Sequence, residues 1–144
     1  MKLCIRTQVN QNYHQVWAGF DRQLFLLLSP PFPPVSLRRF DGCHRGDIVE
    51  VELNFLFFRQ VWKSEIVDQQ MGADEVSFID EGRRLPFFLK YWRHHHRILR
   101  RGNQSEIVDD ISYHSPFLLF DYLLYPVMYL QFAYRRPIYR KVFA

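Results

Sequence analysis

The chain has 144 residues, 48% of them hydrophobic and 17% aromatic, with 14 Phe and 8 Tyr. That length suits a single domain over residues 1–144 with a proper core. The net charge of +4, carried by 15 Arg against 4 Lys, is too small to announce a nucleic-acid binder. Cys4 and Cys43 have neither CxxC spacing nor the density of a disulfide framework, which suits a reducing compartment. The opening MKLCIRTQVNQNYHQ turns polar before an apolar signal region can form, so the expected location is cytoplasmic.

In chain order, residues 1–9 alternate Leu3, Ile5, Thr7 and Val9 against Cys4 and Arg6, which predicts an opening strand. Asn12 caps a short helix through YHQVWAGFD, and RQLFLLLS predicts a second over about 21–28. PPFPP at 30–34 forbids helix and ends it. Strands are then predicted over 35–40, 47–58, 59–67, 74–80, 86–99 and 103–113. Gly102-Asn103 supplies a hairpin turn between the last two.

From about Ser115 the pattern lengthens into one long helix, with kinks expected at Pro126 and Pro137. Residues 116–134, PFLLFDYLLYPVMYLQFAY, have the length and basic flank of a membrane span. Asp121, Gln131, Pro126 and four tyrosines argue instead for a buried helix of a folded domain. Strand, two short helices, five or six further antiparallel strands and a long amphipathic-to-apolar helix have one economical packing. A curved antiparallel sheet of six to seven strands wraps around the helix, an α+β arrangement.

The run YWRHHHRI at 91–98 is the most chemical stretch. On a strand its histidines separate: His94 and His96 share a face with Trp92 and Ile98, while His95 joins Tyr91, Arg93 and Arg97. Across the 102–103 hairpin, Asp109 falls on the inner face with Ile107, Ile111 and Tyr113, opposite His94 or His96 according to the turn.

Several short motifs carry a resemblance: W62-K-S-E-I66, the F78-I-D80 step, W92-R-H94-H-H96, I107-V-D109-D-I-S-Y113 and F132-A-Y-R135-R136. With the layout, they resemble the helix-grip fold of the SRPBCC superfamily, which includes START domains, birch-pollen-allergen-like proteins and polyketide cyclases. The local match is closer to a bacterial subgroup described as cell-division-inhibitor-like or simply as SRPBCC family protein. The resemblance spans the whole chain, and it departs at Leu85-Pro86-Phe87, where many relatives carry Gly-Pro-Phe.

The resemblance implies a cavity between sheet and helix that takes a small hydrophobic ligand, such as a lipid, polyketide or isoprenoid-like molecule. Trp62, Ile66, Phe78, Trp92, Ile111 and Met128 then become apolar walls, and His94, His96, Asp109, Tyr113 and Tyr122 polar handles. Without a cavity the same aromatic residues are ordinary core. Tyr122, Tyr125 and Tyr129 form a stripe of hydroxyls that favours the cavity.

The His-Asp group is first of all a satisfied polar network, without catalytic, metal-binding or cofactor roles. In an enzyme of cyclase or hydratase type, His94, His96 and Asp109 would be its acid–base residues. As a metal site, the two histidines would converge on one ion with Asp109 as third ligand. The arginine pairs at 38–39, 83–84, 100–101 and 135–136 read as a solvated rim. They also allow a transient membrane-surface contact, and the outer face with Arg93, His95 and Arg97 allows a protein contact.

Overall fold

The computed structural model describes all of residues 1–144. β1 (Lys2–Val9) buries Leu3, Ile5, Thr7 and Val9 in strict alternation, as a strand with one wet face must. α1 (Tyr13–Ala18) starts at Asn12, whose side chain accepts from the Gln15 amide while Gln15 returns the bond, a complete capping box. α2 (Arg22–Leu27) starts at Asp21, which accepts from the Leu24 amide at 2.9 Å.

Six strands follow: β2 (Val35–Phe40), β3 (Ile48–Phe55), β4 (Phe58–Met71), β5 (Glu75–Arg84), β6 (Tyr91–Arg101) and β7 (Gln104–His114). With β1 they form one antiparallel sheet in the order β1-β7-β6-β5-β4-β3-β2. β1 closes beside the last strand, so the chain returns along the sheet before its C-terminal helices cross it. Register shifts interrupt β4 against β5 between Lys63 and Ser64 and between Ile66 and Asp68. Such bulges bend a long strand, and these let the sheet curl. Gly82 lies opposite Ser64, where an added Cβ would meet the Leu85 side chain at 2.4 Å.

Several predicted boundaries move. The strand expected over 47–58 breaks at Leu56, whose φ of 49° makes the tip of the β3–β4 hairpin, and Phe58 begins the next strand. β6 starts at Tyr91, because Pro86 places residues 86–90 in a loop. The β6–β7 turn pairs Arg101 with Gln104, with Gly102 at φ 62° as its first turn residue.

The long helix is two helices, α3 (Leu118–Ala133) and α4 (Arg135–Val142). Pro137 causes the break. Its ring crowds the Ala133 carbonyl four residues back and it has no amide to donate there, so the helix restarts at Arg135 with Pro137 in its first turn. Pro126 stays inside α3.

The expectation that α3 is buried is corrected. Only Asp121, Met128 and Phe132 are buried in it, while Leu118, Leu119 and Leu130 are about 70% exposed (73%, 73% and 69%). The helix is apolar on every side but covers the sheet with one. No helix is long and apolar enough to cross a membrane.

The core has two large plugs and a small third cluster of Cys43, Ile66 and Phe78. One packs Val9, Val16, Leu24, Val76, Ile98 and Ile107 against Tyr139 and Phe143 of the C-terminus. The other packs Leu3, Ile5, Trp92, Ile111 and Tyr113 under Met128 and Phe132 of α3. Burying each large apolar side chain fully contributes about 1.5–3 kcal/mol. The two plugs anchor both ends of the sheet–helix sandwich and leave its middle open.

Candidate functional site

Between the plugs lies a cavity of about 430 Å³, walled by the concave sheet, α2, the 30–35 segment and α3. Trp62, Ile66, Phe78, Trp92 and Met128 line it, with Val51, Leu53 and Leu124. Trp62 and Trp92 meet edge to face with ring centroids 4.7 Å apart. At the rim, Phe32, Phe55, Phe58 and Phe87 form a chain of aromatic contacts between the 30–34 loop, the β3–β4 hairpin and the loop before β6.

The floor is polar. Register puts His94 opposite Asp80 of β5 and His96 opposite Asp109 of β7. Hydrogen bonds run along the other diagonal, His94 Nε2 to Asp109 Oδ1 at 2.9 Å and His96 Nε2 to Asp80 Oδ2 at 2.6 Å. Diagonal cross-strand neighbours lie within reach of long side chains. The two imidazoles stack at 3.5 Å, Phe78 stacks on His96 at 4.2 Å, and the Phe132 edge meets His94 at 5.3 Å. The Trp92 indole N–H donates to Asp80 Oδ1 at 3.0 Å.

Arg135 closes the group from α4. Its guanidinium lies over the Phe132 ring at 4.5 Å and 3.9 Å from Asp109 Oδ1. The helix break at Tyr134 sets the start of α4 here, so Arg135 turns inward and is corrected from the solvated rim to the site. Arg38 and Arg39 form exposed ion pairs with Glu52 and Asp41, as a rim would.

Burial sets the charge states first. It pushes the His94 pKa down to about 4, aided by the nearby His96 and opposed by Asp109 and Asp80, so the ring is neutral at pH 7. Burial also pushes both carboxyls upward, yet each stays below the ordinary carboxylate range. At Asp80 the hydrogen bonds from His96 and Trp92, with His94 close by, together outweigh burial. At Asp109 the hydrogen bond from His94, the Arg135 charge and the nearby His96 together outweigh it.

An ionised carboxylate only accepts, so each histidine presents a proton on Nε2. In the neutral His94 ring Nδ1 is then a bare lone pair, facing Asp80 Oδ2 at 3.8 Å. His96 Nδ1 is buried without a hydrogen-bond partner, as are Asp109 Oδ2, Gln131 Oε1 and Tyr139 Oη.

Of the residues expected from sequence, Trp62, Ile66, Phe78, Trp92, His94, His96 and Met128 face this space. Asp109 stands behind the histidines, 1% exposed, and touches the cavity only through them. Ile111 and Tyr113 do not line it. They belong to the plug beneath Met128 and Phe132, and the Tyr113 hydroxyl donates to the Asp121 carbonyl at 2.9 Å.

Tyr122 is corrected outright. It is 63% exposed, and Tyr125 and Tyr129 also face outward, so water satisfies the stripe of hydroxyls. Helical steps of 100° carry Tyr122 and Tyr129 round from the side holding Asp121, Met128 and Phe132, and leave Tyr125 at its edge.

Sequence reasoning missed Asp80, Gln131, Phe132, Arg135 and Tyr139 as members of the site. For Asp80 the signal was present. It follows Val76 and Phe78 in the inward alternation of β5, and an aspartate at such a position needs a buried partner. Arg135 and Tyr139 carry no such sign, because the break before α4 decides where they point.

No family model matches the chain, and no curated protein matches it by sequence. Solved structures share its fold. Norcoclaurine synthase of Thalictrum flavum, a point mutant in complex with a transition-state analogue, is 13% identical with a TM-score of 0.70, covering 99% of this chain and 92% of that one. The di-domain aromatase/cyclase StfQ of the steffimycin biosynthetic pathway is 9% identical with a TM-score of 0.71, covering 99% of this chain and 50% of that one. Ginseng major latex-like protein 151 from Panax ginseng is 16% identical with a TM-score of 0.57, covering 93% and 97%. The shared fold is the helix-grip arrangement of a curved antiparallel sheet around a C-terminal helix.

Proposed function

We propose that this chain binds a small, mostly apolar molecule that carries one polar group. The apolar body lies among Trp62, Phe78, Trp92 and Met128, and the polar group reaches the floor at His96, Gln131 and Tyr139. One observation carries the reading: an apolar cavity of about 430 Å³ ends on buried polar atoms of those three residues that have no protein partner. Buried polar groups are nearly always hydrogen-bonded, and an apolar pocket with a few convergent polar groups is the ordinary form of a small-molecule site. Lipids, polyketides and isoprenoid-like molecules have this chemistry, and the solved structures of this fold include a synthase and an aromatase/cyclase.

Two further parts belong to the reading. The short motifs resemble the cell-division-inhibitor-like bacterial subgroup, and the two free cysteines suit the cytoplasm. The exposed apolar face of α3 beside the basic α4, with Arg136, Arg140 and Lys141, favours transient contact with an anionic membrane surface as the route of loading.

The test is native mass spectrometry of freshly purified protein, followed by titration with a fluorescent fatty-acid probe. Ser64→Phe grows into the cavity from β4 and is expected to abolish binding without unfolding the chain. His96→Gln is expected to weaken it about two- to tenfold, the worth of one hydrogen bond. Equal probe affinity in wild type and Ser64→Phe would place the ligand elsewhere.

A second reading is a cyclase- or hydratase-like enzyme, favoured by the unpartnered Nδ1 of His96. Asp80 holds the ring through Nε2–H, which leaves the buried Nδ1, 3.9 Å from Asp109 Oδ1, as the basic atom of such a site. In that case Asp80→Asn removes turnover while probe binding persists.

A further inference from the structure

We propose that Asp80, His94 and His96 bind one divalent transition-metal ion at the floor of the cavity. One donor atom from each residue lies within 4.8 Å of the other two. Asp80 Oδ2 is the shared point, 2.6 Å from His96 Nε2 and 3.8 Å from His94 Nδ1. Donors on one zinc-sized ion stand roughly 3.3 Å apart, from bond lengths of about 2.0–2.1 Å and tetrahedral angles. One separation therefore opens slightly and the other closes slightly on binding.

The surroundings are those of a supported site. Metal-bound histidines characteristically hand their far N–H to a carboxylate, and bound carboxylates are themselves hydrogen-bonded. Asp109 Oδ1 is placed behind both rings, 2.9 Å from His94 Nε2 and 3.9 Å from His96 Nδ1. The Trp92 indole holds Asp80 Oδ1, and Oδ2, which accepts the His96 Nε2 proton when no ion is bound, turns to the ion once that proton moves to Nδ1.

The arrangement also answers two features that a plain polar network leaves open. His94 Nδ1 and Asp80 Oδ2 are two acceptors turned toward each other, which nothing but a proton or a cation joins favourably. The buried, unpartnered Nδ1 of His96 gains a donor role when that ring binds the ion through Nε2, since its single proton then sits on Nδ1 and faces Asp109.

Two imidazoles and one carboxylate suit zinc, iron(II) or cobalt(II) rather than calcium or magnesium, which prefer oxygen donors throughout. All three donor residues line the cavity, so the remaining coordination positions open toward whatever occupies it. The proposal does not depend on the identity of that molecule. It differs from the acid–base reading, in which His96 keeps its Nε2 proton on Asp80 and no metal is held.

The experiment is titration of chelator-treated full chain with Co²⁺ at pH 7.5, followed by visible absorption, with Zn²⁺ competition. The expected result is one Co²⁺ per chain with intense ligand-field bands, lost in Asp80→Asn and in His96→Gln. Either variant suffices if its near-UV circular dichroism matches wild type. Asp109→Asn, which touches no ion, is expected to keep the stoichiometry and lose about 10–100-fold in affinity. Absence of stoichiometric binding at millimolar Co²⁺ overturns the proposal. So does affinity unchanged by Asp80→Asn and His96→Gln, which would mark binding at exposed histidines such as His44. Because probe binding is read separately by fluorescence, failure here leaves the ligand-binding reading standing or falling on its own result.

Discussion

Replacing Asp121 with alanine tests how α3 is fixed above the cavity. Asp121 lies in the first turn of α3 and is 3% exposed. Its Oδ1 accepts the Ser115 amide at 2.5 Å, and its Oδ2 lies 3.4 Å from His114 Nδ1. The carboxylate thus ties the end of β7 to the start of the helix that roofs the site.

Alanine leaves the buried Ser115 N–H without an acceptor, at a cost of about 1–3 kcal/mol. It also removes a negative charge from a helix N-terminus, worth about 0.3–1 kcal/mol. The expected loss is therefore about 1.5–4 kcal/mol, read by urea denaturation at pH 7 as a lower midpoint with an unchanged slope. Asp121→Asn keeps an acceptor and should lose less.

The pH dependence supplies a second reading of the same contact. Hydrogen bonds from Ser115 hold the Asp121 carboxyl below its ordinary value of 3.8, with His114 adding to the effect. A depressed folded pKa means the unfolded chain binds the proton more readily. The contribution is present above pH 3.8 and is lost as pH falls through the folded value. Asp121→Ala should therefore differ from wild type most at neutral pH and converge with it in acid. A change below about 0.5 kcal/mol at pH 7, the range of ordinary surface substitutions, would refute the latch.

The two cysteines should separate cleanly under a thiol reagent. Cys4 is exposed, whereas burial, with Asp80, Asp47 and Asp21 nearby, pushes the Cys43 thiol up to about 12. One equivalent of iodoacetamide per native chain is expected at pH 8, two after denaturation, and prompt labelling of Cys43 in the native chain would contradict its placement. The membrane contact predicts sedimentation with phosphatidylserine vesicles, weakened by high salt and abolished by Leu119→Glu with Leu123→Glu. Wild-type protein that stays in the supernatant at low salt would remove that route of loading.

Much of the sheet was legible because alternation is a local signal. Leu3, Ile5, Thr7 and Val9 announce their buried face directly, and the Gly102-Asn103 turn fixes the register that sets His96 opposite Asp109. The C-terminal helices were legible as helix but not in their placement. A segment apolar on every side gives no moment from which to choose its buried face, so by sequence a stripe of tyrosines is as eligible as Met128 and Phe132. What decides the matter is the sheet. The aromatic surface of Trp62, Trp92 and Phe88 meets only the side of α3 that carries Leu124, Met128 and Phe132, and no pattern within residues 118–133 encodes that.

The polar floor was half legible for a related reason. Pairing across a hairpin is encoded in the turn, so Asp109 could be assigned to the histidines from sequence. Asp80 joins from the preceding strand through a loop whose length fixes no register, so its partnership with His96 appears only when β5 and β6 are aligned. The crossed hydrogen bonds then give the two carboxylates different work. Asp109 is walled in by Arg135 and His94, whereas Asp80 opens on the cavity. Burying two carboxylates costs more than their pairing returns in most settings, and an apolar substitute of the same shape is usually no less stable. A filled core would gain by losing them. Their position under an open apolar cavity, each held to one histidine of a stacked pair, puts the expense where a ligand's polar end or a metal ion would meet it.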